Sequence, residues 1–313
     1  MEAWQFDPFR GDDDLRRAHR ALHRGEWDTV VDLVRPDRLG WILQETLTSE
    51  EAAVETVVFE RLTARCDAAE AVSLLGGALV RDGWVLLAAS VDDPGALDAA
   101  VARLEEAEAT LRRAVLMRPA LADPWVHLLS SGRALGLNLE ELRGRFENLH
   151  SRVPFRPDGC RQYVLGLSAR AGGVDSAMFD FARWLVREAP PGSPARVALP
   201  MAHLEHGLGP ECQVSLTEHL TIPETVAELV TACDAFLARS PRRAGPEQLL
   251  TLNTFALALT VDDHETARLV TEVYARIDGR ATAYPWTLYQ DEDIMAVFHE
   301  VRETQLDNAV RHR

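Results

Sequence analysis

ALGLNLEELRGRFENLHSRVP, residues 134–154, and RAGGVDSAMFDFARWLVREAP, residues 170–190, are the stretches whose reading decides the fold. Aligned at Gly136 and Gly172 they keep one offset of 36 residues, which also relates the closing prolines Pro154 and Pro190. The apolar pairs Leu142 with Met178 and Leu149 with Leu185 share that offset. Apolar positions at three- and four-residue steps, bounded by a glycine turn and a terminal proline, specify an amphipathic helix with marked ends. Recurrence at a fixed spacing makes the segment an internal repeat.

The same grammar extends upstream. Residues 92–119 place Leu97, Ala100, Val101, Leu104, Ala107, Leu111, Ala114 and Val115 at helical steps and end at a proline 35 residues before Pro154. Asp123-Pro124-Trp125 sets an acidic cap before a proline suited to a first helical turn, opening a helix that runs to Gly136. Residues 138–153 close the pair. Downstream, 259–278 and 291–313 carry helical patterns, and Pro285-Trp286 repeats the Pro124-Trp125 opening. No Asn-Gly or Asp-Gly turn sits between alternating apolar runs, so an all-α chain is expected.

With Pro119, Pro154 and Pro190 ending helices, Ala114 in a small-residue position and Trp125 early in a unit, the pattern resembles the tetratricopeptide repeat, a helix-turn-helix unit of about 34 residues. RAHRALHRGEWDTVVDLVRP, residues 17–36, and residues 259–278 with Ala267 echo half of such a unit; regular spacing covers 94–190. The resemblance implies a right-handed α-solenoid of antiparallel helix hairpins with irregular flanking helices. It divides the chain into an N-terminal lead at 1–12, helical hairpins at 13–91, core repeats at 92–241, and a C-terminal hairpin with a capping helix at 242–313. The lead packs over the first hairpin or docks elsewhere. The resemblance further implies a concave groove lined by first helices, where a partner segment lies. His127, Ser130, Arg133, Arg161, Tyr163 and Arg170 fall on those helices and are the groove candidates.

Composition narrows the chemistry. All 33 basic side chains are arginine, so a phosphate-loop lysine, a Schiff-base lysine and a lysine general base are excluded. A GC-rich coding bias is the simpler explanation, selection against ε-amines the sharper one. The formal net charge of −16 repels phosphate backbones and anionic lipid, so neither nucleic acid nor a membrane is an expected partner. The apolar stretches at 71–75 and 84–89 are separated by Arg81 and Asp82 and are too short to span a bilayer. MEAWQFDPFRGDDD carries acidic residues where an export signal needs basic ones, which makes the cytoplasm the expected location. Cys66, Cys160, Cys212 and Cys233 show no ligand spacing and are read as reduced. Cys160 follows Asp158-Gly159 near a helix start, a place that favours a thiolate.

Ligand-type residues are densest in MAHLEH, residues 201–206, followed by Cys212 and His219. A spacing of three puts His203 and His206 on one helix face, so His203, Glu205 and His206 form the candidate metal set, although the sequence has neither His-Glu-x-x-His nor its inverse. His19 and His23 pair at four residues among Arg16, Arg17, Arg20 and Arg24, a pattern that suits a solvated basic face. No GxGxxG and no Gly-x-Ser-x-Gly elbow occurs, and no cofactor is expected. Two functions lead, ahead of a sensor or regulator module whose output domain is a separate chain. One is a scaffold whose partner is a protein or peptide segment, acidic in character, or a second copy of the chain. The other is an enzyme or enzyme-associated subunit, of the kind found in secondary metabolism, with a pocket around His203, Glu205 and His206.

Overall fold

The computed structural model describes residues 5–6, 12–24, 26, 29, 33, 68–93, 95–260, 264–288 and 293–312. The readings of Trp27, of residues 38–67 and of the His19 and His23 side chains lie outside this set. The described chain is mostly helical, as its periodicity requires. It divides into two compact units, residues 12–166 and residues 1–11 with 167–313.

The first unit holds α1 (Asp13–His23), α2 (Ala68–Ala89), α3 (Gly95–Met117), α4 (Asp123–Ala134), α5 (Leu139–His150) and α6 (Pro157–Leu167, whose last residue belongs to the second unit). Helices α2 to α5 each pack on their sequence neighbour. The approach of α2 to α3 depends on glycine: a Cβ on Gly76 or Gly83 would lie 2.5 Å from Leu111 or 2.6 Å from Leu104. Facing them is a stripe of small residues, Ala96, Ala100, Ala107 and Ala114, together with Leu104 and Leu111. Leu97 and Val101, expected on that stripe, are exposed, because at this close approach the buried face is narrower than the apolar one.

Within this apolar setting sits a buried ion pair. Arg145 of α5 grips Glu108 of α3 with both ends of its guanidinium, Nη1 to Oε1 at 2.6 Å and Nη2 to Oε2 at 2.9 Å. Ser131 of α4 donates to the same carboxylate, and Arg145 Nη1 also donates to the Leu128 carbonyl. Three helices therefore meet on one carboxylate.

The second unit holds α7 (Asp175–Glu188), α8 (Ala198–Gly207), α9 (Leu216–Leu220), α10 (Pro223–Leu237), α11 (Pro246–Ala258), α12 (His264–Ile277), the single turn α13 (Ala283–Trp286) and α14 (Ile294–Arg311). Two buried amides tie its C-terminal half. Asn253 of α11 accepts from the Trp286 indole at 2.8 Å, and Gln305 of α14 donates to the Ala256 and Leu259 carbonyls while accepting from the Tyr274 hydroxyl. Pro285-Trp286 thus forms a short turn carrying a fully buried tryptophan, in contrast to the exposed-edge opening at Trp125. The N-terminal lead docks here: Gln5–Phe6 pairs in parallel with Arg280–Ala281.

The two aligned stretches share local geometry. Helices α5 and α7 begin 36 residues apart, and Gly136 and Gly172 before them take left-handed φ values of 64° and 82°, where a side chain is strained. Asn138 caps α5 by accepting from the Glu141 amide. One described segment, Val72–Ala89 of α2, is long and apolar enough to cross a membrane by length and composition, and half of it is buried inside the protein.

Removing Glu108 leaves the buried Arg145, among the described residues, only Glu141, 2.8 Å away, and the Leu128 carbonyl as partners. Glu108→Ala is expected to lower the stability of the first unit by about 3–5 kcal/mol in urea unfolding, whereas the joint change Glu108→Leu with Arg145→Met should recover most of that loss.

Candidate functional site

The groove candidates of the first unit are integral to its interior. Ser130 is buried and accepts from the Trp84 indole at 3.0 Å. Arg133 lies 4.3 Å above the Trp84 ring and donates to Gln162 at 3.3 Å. Tyr163 is buried and stacks on Phe146 with ring centroids 4.6 Å apart. Arg161 is half-buried on α6. His127 is buried near Asp123, Arg156 and Asp158, and burial pushes its pKa down to about 4. Cys160 is also buried, and desolvation pushes its thiol up, so the thiolate expected at this helix start is not favoured.

A different opening lies close by. Val115, Leu116, Trp125 and Leu128 line an apolar cleft of about 530 Å³ between α3, α4 and α5, with Arg112, Glu141 and Arg145 at its polar side. Leu116 is 82% exposed, and the buried Nε1 of Trp125 has no hydrogen-bond partner among the described residues. Arg152 places its guanidinium 5.1 Å from the Trp125 ring.

The second unit contains a denser constellation. Asp175, Phe179 and Arg183 recur every four residues along one face of α7. Helix α8 supplies His203, Glu205 and His206, α9 supplies His219, and α10 supplies Glu228. A capping box, in which Ser215 and Glu218 satisfy each other's backbone amides, starts α9 and positions His219. Cys212 stands on the loop between α8 and α9, half-buried.

Each imidazole has a defined partner. His206 Nδ1 is 2.6 Å from the buried Asp175 carboxylate, whose other oxygen accepts from the Ala169 amide at 2.8 Å. His203 Nδ1 is 3.1 Å from His219 Nε2, and His203 Nε2 is 3.2 Å from Glu228. Arg183 holds Glu228 through Nε and Nη2 at 2.7 and 3.0 Å while its guanidinium lies over the Phe179 ring. The hydrogen bond from His203, with the Arg183 charge working against burial, holds the Glu228 carboxyl down at about 2. His219 is held down at about 4 by burial and by its two imidazole neighbours. The Phe179 edge contacts both the His203 and His206 rings, with centroids 5.0 and 5.6 Å away.

The expected set of His203, Glu205 and His206 is not assembled as one group of ligands. Two residues along a helix is a rotation of about 200°, so Glu205 faces away and pairs with Arg170 at 2.9 Å. That pairing also accounts for the sixth groove candidate. His203 is engaged on both nitrogens. The residues brought together instead are His206, Cys212 and His219, whose ligand atoms all lie within 4.8 Å of one another. Cys212 and His219 were visible in sequence as residues trailing MAHLEH, but a turn and a short helix intervene and leave no fixed spacing to read.

No family model matches the chain, and neither a curated protein nor a solved structure is significantly similar to it.

The buried His127 binds fewer protons folded than unfolded between pH 6.5 and about 4, so its contribution to stability is present above that window and is lost as pH falls through it. His127→Phe is expected to flatten this part of the stability profile, read as the difference in urea midpoint between pH 7 and pH 4.5 against the parent chain.

Proposed function

We propose that the chain is a helical-repeat scaffold, a right-handed solenoid of hairpins, that binds a segment of another protein. The observation that carries this reading is the cleft at Trp125. An apolar cleft with Arg112, Glu141 and Arg145 at its polar side, one of whose lining residues, Trp125, carries an unsatisfied indole N–H, suits an apolar side chain followed by a backbone carbonyl, the pairing that a peptide offers. Arg112, 62% exposed in its side chain although paired with Glu108, and Arg152 over the Trp125 ring favour an acidic neighbour to that apolar anchor. The repeated glycine and proline positions and the missing lysine-dependent chemistries support a binding role over catalysis.

A second reading, an enzyme or enzyme-associated subunit, is favoured by one observation: carboxylates and imidazoles are held in register at His203, His206 and His219, an arrangement suited to acid–base work.

Selection from a displayed random-peptide library should enrich sequences with an apolar anchor beside Asp or Glu. Binding of those peptides should fall about tenfold or more in Leu116→Glu, a change at an exposed position, and several-fold in Trp125→Phe, which removes the N–H together with one of the two fused rings. Absence of enrichment, or affinities unchanged in both variants while circular dichroism reports a folded chain, removes the basis of the scaffold reading.

A further inference from the structure

We propose that His206, Cys212 and His219 form a binding site for a divalent transition metal of the zinc class. The inference is independent of the scaffold reading and shares its observations with the second reading, because it rests on the hydrogen-bond order of the second unit.

That order fixes which nitrogens carry lone pairs. Glu228 is gripped at both oxygens by Arg183 and is therefore an ionised carboxylate, able only to accept. His203 donates to it through Nε2, and in the neutral ring this leaves Nδ1 as an acceptor. The His203 Nδ1 contact to His219 Nε2 consequently takes its proton from His219, and the lone pair of His219 falls on Nδ1. Asp175 acts in the same way on His206, accepting from Nδ1 and leaving Nε2 as the lone-pair atom. In their neutral forms the His206 and His219 rings, with centroids 4.9 Å apart, thus each carry one unprotonated nitrogen, and a ligand atom of each lies within 4.8 Å of the Cys212 sulfur.

The supporting groups are those found behind metal-bound histidine. A carboxylate behind each imidazole, direct for His206 and relayed through His203 for His219, fixes tautomer and ring orientation and raises ligand basicity. Asp175 is 3% exposed, His203 3% and His219 6%, so the relay is shielded from water. Cys212, by contrast, sits on a loop at the margin, where its thiol donates to the Val214 carbonyl at 3.3 Å. Metal entry is open at that side.

Two imidazoles with one thiolate make a borderline-soft donor set that favours zinc over calcium or magnesium. On binding, the Cys212 S–H bond breaks, a sulfur–metal bond forms, and the proton passes to solvent; an imidazole that binds in its neutral form releases none. Three protein ligands leave the fourth tetrahedral position to water or to an added ligand. Among the described cysteines, Cys160 and Cys233 are buried with thiols pushed up by desolvation, so a metal–thiolate signal points to Cys212.

The full chain, prepared without a histidine tag and stripped with chelator, is titrated with Co²⁺ and with Zn²⁺. The expected result is one metal per chain, a near-ultraviolet thiolate-to-cobalt band, and about one proton released per ion in a weakly buffered indicator assay. Cys212→Ser should abolish the band and the proton. His206→Gln should remove stoichiometric binding, and Asp175→Asn should weaken it about 10–100-fold. Because Cys212→Ser alters only a marginal loop, it separates loss of the site from loss of the fold, which circular dichroism follows for all three variants. Failure of either ion to bind at micromolar concentration overturns the proposal. So does stoichiometric binding that persists unchanged in both Cys212→Ser and His206→Gln, and so does cobalt binding without a thiolate band.

Discussion

A carboxylate withdrawn from water must be given a cation or several hydrogen-bond donors, and that constraint organises both units of this protein. In the first unit, Glu108 is met by the Arg145 guanidinium and the Ser131 hydroxyl, which brings residues of α3, α4 and α5 to one point. An apolar helix face tolerates sliding and rotation with little change in energy. A bidentate ion pair does not, so Glu108 and Arg145 set the register of helices that alanines alone would leave loosely specified. In the second unit Asp175, Glu205 and Glu228 raise the same demand, and histidine and arginine side chains answer it.

That shared demand explains why the two units differ in chemical potential. Glu108 is satisfied by a guanidinium, which has no lone pair to offer a ligand, and by the hydroxyl of the buried Ser131. Asp175 and Glu228 are satisfied in part by imidazole, which turns a structural hydrogen bond at one nitrogen into an available lone pair at the other. Phe179, placed between Asp175 and Arg183 on the same face of α7, keeps the His203 and His206 rings upright with its edge. Asp175, Phe179 and Arg183 therefore brace the cluster from one face of α7, while Glu228 reaches it from α10.

The groove residues carry a different lesson. Of the residues expected on first helices, His127, Ser130, Arg133, Arg161 and Tyr163 lie on α4 and α6 while Arg170 lies past the end of α6 in a short 3-10 turn, and Ser130, Arg133 and Tyr163 engage Trp84, Gln162 and Phe146 inside the first unit. A sequence offset states which helix a residue belongs to, whereas its azimuth relative to the neighbouring helix depends on how closely the two approach. Gly76 and Gly83 bring α2 and α3 unusually near, which turns Leu97 and Val101 outward and leaves Leu116 and Trp125 at an open cleft. The order of apolar residues could not reveal this, since all of them fit the helical period.

By itself the sequence determined the helices: their period, their proline and glycine ends, the glycine turns at Gly136 and Gly172, and the exclusion of every lysine-dependent chemistry. These are local properties, settled within about one helical turn by backbone geometry and hydrogen-bond demand. Tertiary structure alone decided which carboxylate meets which cation, that Gln5–Phe6 pairs with Arg280–Ala281, and that His206 meets Cys212 and His219 while Glu205 turns to Arg170. Those outcomes depend on helix azimuth and on loop closure between distant segments, which residue spacing does not encode. The MAHLEH stretch announced a polar site, and the rotation of one helix chose its members.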